Sequence, residues 1–200
     1  MFKQIKMKSS SEQEAYDKKA KTYKMLLYFA MISIIMIFAG LTSAFVVSKQ
    51  RPDWLKELVI PVTFTYSTIL LLISSITFYL AKRAIKSDNH SLTKVYLLIT
   101  LALGMSFVYL QFKGFDLLFN QGLVPFGSAS KVTISFLYAF VFVHVAHLFG
   151  GIISLIYVIY NHYKQKYNSS QCLGIELSGI YWHFMDFIWV YLFLFFYFFK

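Results

Sequence analysis

Apolar residues run along this chain in five long blocks, separated by short polar or basic segments. The blocks cover residues 25–48, 59–81, 95–119, 131–160 and 175–199. A helix needs roughly 20 apolar residues to cross a hydrocarbon core of about 30 Å, and each block meets that length. The pattern predicts an all-α polytopic membrane protein: a basic tail over residues 1–24, then a five-helix transmembrane domain over residues 25–200.

Composition agrees. With 58% hydrophobic and 14% charged residues, 200 residues carry more apolar surface than one soluble core can hide. The net charge of +10 does not mark a nucleic-acid binder, because the basic residues lie in the segments between apolar blocks. About thirteen Lys and Arg fall in the tail and the second and fourth connections, and about five in the first and third connections and the C-terminal end. By the positive-inside rule the N-terminus is expected in the cytoplasm and the C-terminus outside. The single cysteine, Cys172, rules out an intramolecular disulfide and a Cys-based metal site. The N-terminal residues stay polar too long for a cleavable signal peptide. Gly-rich phosphate loops, nucleophile elbows and CxxC pairs are absent from the sequence.

Along the chain, Ser9-Ser10-Ser11 reads as a helix cap before Glu12, so the tail is expected to end in a turn or two of helix. Trp54, in the first connection, fits a headgroup anchor. The second block carries hydroxyls (Thr63, Thr65, Ser67, Thr68, Ser74, Ser75 and Thr77) able to bond back to the helix or across to a neighbour. Residues 82–94 read as a basic connector, and Lys113 either pairs with Asp116 or snorkels to the interface. Small residues at Gly40, Ala44, Gly104, Gly150 and Gly151 are candidates for close helix approach or for lining a lipid cleft between the first two and last three helices.

The last block holds the densest chemistry. Glu176, Gly179, His183, Asp186 and Val190 share one helix face. A charge facing lipid at mid-membrane costs roughly 2.5 kcal/mol or more, so this stripe is expected to face protein or water. His144 and His147 share a face of the fourth block. The expectation is a structural polar seam in which His144, His147, Glu176, His183 and Asp186 satisfy one another, with Gly150, Gly151 and Gly179 bringing the last two helices together. The alternative is a haem or metal site using His144, His147, His183 and Glu176.

Glu176 followed by Tyr181-Trp182-His183-Phe184-Met185-Asp186-Phe187-Ile188-Trp189 closely resembles the last helix of subunit III of haem–copper oxidases. The segment Phe142 to Gly150, with His144 and His147, is similar to that family's Phe-His-Gly-x-His segment, and Gly127-Ser128 to its preceding Gly-Ser. Ser33, Met36 and Phe38-Ala39-Gly40 resemble its first shared helix, and Pro61, Thr65 and Ser74-Ser75-Ile76-Thr77 the next. Two positions depart: Ile34 stands where the family has a membrane carboxylate, and Gly114 where it has a second glutamate, although Gln111 is kept. The length resembles the family's five-helix form.

The resemblance implies a non-catalytic subunit in a bacterial cytoplasmic membrane, partnered by oxidase subunits I and II and by phospholipid. No cofactor is expected in this chain, since haems and copper belong to the partner subunits. The implied roles are stabilising subunit I, holding lipid and supporting proton uptake, with membership of a larger respiratory supercomplex a further expectation. Trp182 and Trp189 join the packing and lipid-cleft candidates. Accessory subunits of quinol oxidases or nitric-oxide reductases share the same resemblance.

Overall fold

The computed structural model describes residues 10–55, 61–127, 130–169 and 171–199. Five helices account for nearly all of it: α1 (Ser10–Ser48), α2 (Val62–Lys86), α3 (His90–Asn120), α4 (Val132–Tyr163) and α5 (Leu173–Phe199). All five are long and apolar enough to cross a membrane, and no strand occurs among the described residues. The first residues of the tail, the predicted start of the second span at Val59, Ser128 and Lys200 lie outside the described residues.

Two boundaries differ from the expectation for one reason. Hydropathy locates where a helix leaves apolar surroundings, not where its backbone hydrogen bonding ends. The residue 10–24 segment is helical for far more than a turn or two: α1 begins at Ser10 and runs unbroken into the first span. Residues 82–94 likewise do not form a connector. Helix α2 continues through Arg83 to Lys86, and α3 starts at His90.

The turn between them is specified locally. Asp88 adopts positive φ (52°), its N–H bonds Ile85 O, and the Asn89 N–H bonds Ala84 O, both at 3.0 Å. This is the left-handed stop that satisfies the last carbonyls of a helix. Asn89 then caps α3, its side-chain oxygen accepting from Leu92 N at 3.1 Å. The same stop ends α3 at Gly122 (φ 76°), where the absence of Cβ makes it cheap, and α4 at Gln165 (φ 55°).

Helix α2 packs along α3 and also against α5; α4 packs against α3 and α5; α1 leans on α4 and α5 alone. The first two helices therefore do not pair into the lobe expected from the sequence. α1 is held at its far end by Phe45, which is fully buried and meets Trp54, Phe136, Phe140, Phe195 and Phe196 edge-on at centroid distances of 4.8–6.3 Å. Trp54, predicted as a headgroup anchor, is half-buried and joins this cluster through Phe45.

Candidate functional site: a hydrogen-bonded helix interface

The polar residues of the membrane interior are arranged around α2. Its hydroxyls first bond back to their own helix, as Ser67 and Thr68 do to Phe64 O and Ser74 to Leu71 O, each at 2.8 Å. Their oxygens remain free to accept. Trp189 Nε1 donates to Thr68 Oγ1 at 2.9 Å and Trp182 Nε1 to Ser74 Oγ at 3.1 Å, both from α5. Gln111 Nε2 of α3 donates to Ser67 Oγ at 2.8 Å, and Thr100 shares a bond with Thr77 at 2.8 Å. Ser75 Oγ lies 2.6 Å from Nδ1 of His183. The hydroxyls of α2 thus form a ladder tying it to α3 on one side and α5 on the other. Such bonds average only about 0.6 kcal/mol each in a bilayer, so their effect is collective.

Trp182 and Trp189 are buried, at 0% and 3% exposure, and pack in the core between helices. Gly104 exists for one of them: a Cβ there would stand 2.7 Å from Trp182 Cη2. At Gly151 a Cβ would meet Tyr181 at 3.3 Å and Trp182 at 3.5 Å, while at Gly150 it would meet only the Tyr181 hydroxyl, at 3.6 Å. Gly179 faces Phe78 of α2 at 3.0 Å and does not bring α4 and α5 together. A Cβ at Gly40 would meet nothing within 4 Å and Ala44 is exposed, so neither packs a helix within this chain. A groove of about 330 Å³ runs between α1 and α5, lined by Ala39, Thr42, Ser43, Val46, Val47, Tyr191 and Phe195, and neither Gly40 nor Ala44 is part of that lining.

The predicted polar seam does not form. Its members do not bond to one another, because α4 and α5 meet through tyrosine, tryptophan and small residues and not through the ionisable stripe. Glu176 sits in the first turn of α5 and pairs with Lys24 of α1 (2.9 Å) and Lys86 of α2 (3.7 Å). A carboxylate is favoured at a helix N-terminus, and here it bridges two helices that do not touch each other. His183 faces Ser75, and Asp186, 4% exposed, lies beside the same hydroxyl with no fully formed hydrogen bond to either carboxyl oxygen. His147 donates from Nδ1 to Val143 O at 2.7 Å within its own helix.

His144 is fully buried against Phe38, Phe107 and Trp189, and neither ring nitrogen has a partner among the described residues. Lys113 pairs with Tyr109, its ammonium 5.4 Å from the ring centre, and no ion pair with Asp116 occurs among the described residues. No three His, Cys, Asp or Glu side chains converge as a metal-ligand set among the described residues.

The two departures from the resembled family have packing explanations. Ile34 is 7% exposed and belongs to the apolar core. At Gly114 a Cβ would stand 3.0 Å from the Phe64 ring, which occupies the space a longer side chain would need. Sequence reasoning missed the indole partners Thr68 and Ser74 and the Lys24–Glu176–Lys86 bridge. The hydroxyl spacing along α2 was visible, but nothing in one sequence says which neighbour each hydroxyl meets.

Five membrane-length helices, three of them joined by this side-chain ladder, define a polytopic helical membrane protein. The chain belongs to the cytochrome c oxidase subunit III family, whose sequence model matches residues 1–200. It is 32% identical over 129 residues to cytochrome c oxidase subunit 3 of Alkalihalophilus pseudofirmus, covering 63% of this chain and 60% of that protein. It is 29% identical over 175 residues to cytochrome c oxidase subunit 3 of Thermostichus vulcanus, covering 84% and 82%. Subunit 3 of the cytochrome bo(3) ubiquinol oxidase of Buchnera aphidicola is 25% identical over 174 residues, covering 86% and 90%. Membership of a family of oxidase subunits implies association with other oxidase subunits.

Proposed function

We propose that this chain is a non-catalytic subunit of a haem–copper terminal oxidase. It packs against subunits I and II in a bacterial cytoplasmic membrane, N-terminus inside and C-terminus outside. It stabilises the catalytic subunit, retains phospholipid and supports proton uptake. The observation that carries this reading is that five interior polar side chains are engaged in helix-to-helix bonds: Trp182, Trp189, Gln111, Thr100 and His183 all close on α2. Lipid retention is supported by the groove between α1 and α5 and by a groove of about 190 Å³ between α3 and α4, walled by Phe112, Phe115, Phe142 and Phe149 with Gln111 beside them. Orientation rests on the lysine distribution.

The test is Asp186→Asn and His183→Phe in the assembled oxidase, scoring subunit retention, initial turnover and inactivation during turnover. Weaker retention or a shortened working lifetime at normal initial rate is expected. Normal assembly and lifetime with an immediate loss of oxygen-reduction rate overturns the reading. A quinol-oxidising complex is the second reading, favoured by the Buchnera ubiquinol oxidase relative. Turnover of the co-purified complex with reduced cytochrome c against ubiquinol separates the two.

A further inference from the structure

The turn between α2 and α3 meets the end of α4 at a pair of histidines that the α2 ladder does not use. His162, in the last turn of α4, places Nε2 at 3.0 Å from the carbonyl oxygen of His90. A carbonyl only accepts, so Nε2 carries the proton and Nδ1 carries the lone pair. That Nδ1 is buried without a partner among the described residues, as is Nδ1 of His90. The rings lie face to face, with centroids 5.6 Å apart and planes 29° from parallel. Lone pairs lie in the ring planes, so stacked rings do not aim one Nδ1 at the other. A proton added to either has no acceptor waiting.

The charged surroundings offer no relief. Lys94 of α3 is a cation, its ammonium 4.5 Å from the ring centre of Tyr163 on α4. Asp88, in the α2–α3 turn, is committed elsewhere: its Oδ1 accepts from the Ser169 N–H of the α4–α5 connection at 2.9 Å. The Tyr167 phenol, from that same connection, bonds to Asn161.

We propose that His162, stacked on His90, forms an acid-sensitive clasp between the α2–α3 turn and the α4–α5 connection, closed while the His162 imidazole is neutral and released when its Nδ1 takes up a proton. Imidazole gains its charge between about pH 8 and pH 5. Protonation puts a cation on the ring stack near Lys94 and buries a new N–H donor at Nδ1 of His162 that has nothing to bond. The parts released are the end of α4 at Gln165 and the Asp88–Ser169 link, which together set the approach to Cys172 and the start of α5. Glu176, one turn further on, holds Lys24 and Lys86, so the clasp bears on the bridge between α1, α5 and α2.

The experiment is hydrogen–deuterium exchange of the subunit in its purified complex, at about pH 7.5 and about pH 5.5, corrected for intrinsic exchange and read over residues 160–171. The wild type is expected to lose protection by up to about tenfold per pH unit for each proton taken up. His162→Gln presents an amide donor near the position of Nε2 and does not titrate. His90→Phe keeps the ring stack and the carbonyl. His162→Gln is expected to show the same protection at the two pH values, and His90→Phe, which keeps His162 and its buried Nδ1, is expected to retain a pH response. Equal wild-type protection at both pH values, a wild-type pH response in His162→Gln, or loss of the response in His90→Phe overturns the proposal.

Discussion

Replacing His144 with leucine separates packing from chemistry in the middle of this bundle. The imidazole is fully buried with both nitrogens unpartnered, and the rings of Phe38, Phe107 and Trp189 stand at centroid distances of 6.4, 6.0 and 5.0 Å. Leucine is close in volume, so neither a large cavity nor severe overpacking results. A buried polar group without a partner costs about 1–3 kcal/mol, which the substitution removes. Against this stands the loss of ring–ring attraction, about 0.5–1.5 kcal/mol for a favourable pair. The net expectation is a variant between equally stable and about 2 kcal/mol more stable than wild type. The control is His183→Leu, which strips Ser75 of its partner and is expected to cost about 1–3 kcal/mol. Reversible unfolding of the subunit in mixed detergent micelles measures both, and retention in the complex checks them in context. If His144→Leu loses more than about 1 kcal/mol, or falls out of the complex while His183→Leu stays, the imidazole has a partner and the packing argument is wrong.

Three further outcomes follow from particular contacts. Gly104→Ala drives a methyl group into the Trp182 ring and is expected to destabilise by about 1–3 kcal/mol, whereas Gly40→Ala meets open space and is expected to be neutral or slightly stabilising in the same assay. Glu176→Gln removes a bridge whose lysines are substantially exposed, at 37% and 55%, so the cost is expected to stay below about 1 kcal/mol and to shrink further in high salt. Burial raises the Cys172 thiol above its ordinary pKa. Its alkylation near neutral pH is therefore expected to be slow in the folded subunit and to accelerate sharply once SDS opens the α4–α5 connection, and fast labelling of the folded protein refutes its placement.

The sequence by itself determined the number of helices, their membrane character and the family. Those properties reside in runs of apolar residues and in a local motif, Trp182-His183-Phe184 through Asp186 to Trp189, that survives reading one residue at a time. It also contained the α2–α3 stop in Ser87-Asp88-Asn89, residue types suited to a left-handed stop and a helix cap. Hydropathy alone passes over that signal, because Lys82, Arg83 and Lys86 look like a loop while remaining helical. Only the tertiary structure decided which polar groups meet. Helical periodicity placed Glu176, His183 and Asp186 on one stripe, but a stripe is 15 Å long over ten residues at 1.5 Å each, and different neighbours cover its parts. Lysines from α1 and α2 reach its start, Ser75 its middle, and the α4 histidines none of it. Partner choice depends on how five cylinders are rotated and offset against one another. That is fixed by contacts such as Trp182 on Gly104 and Phe64 on Gly114, made between residues far apart in the chain and invisible until the helices are packed.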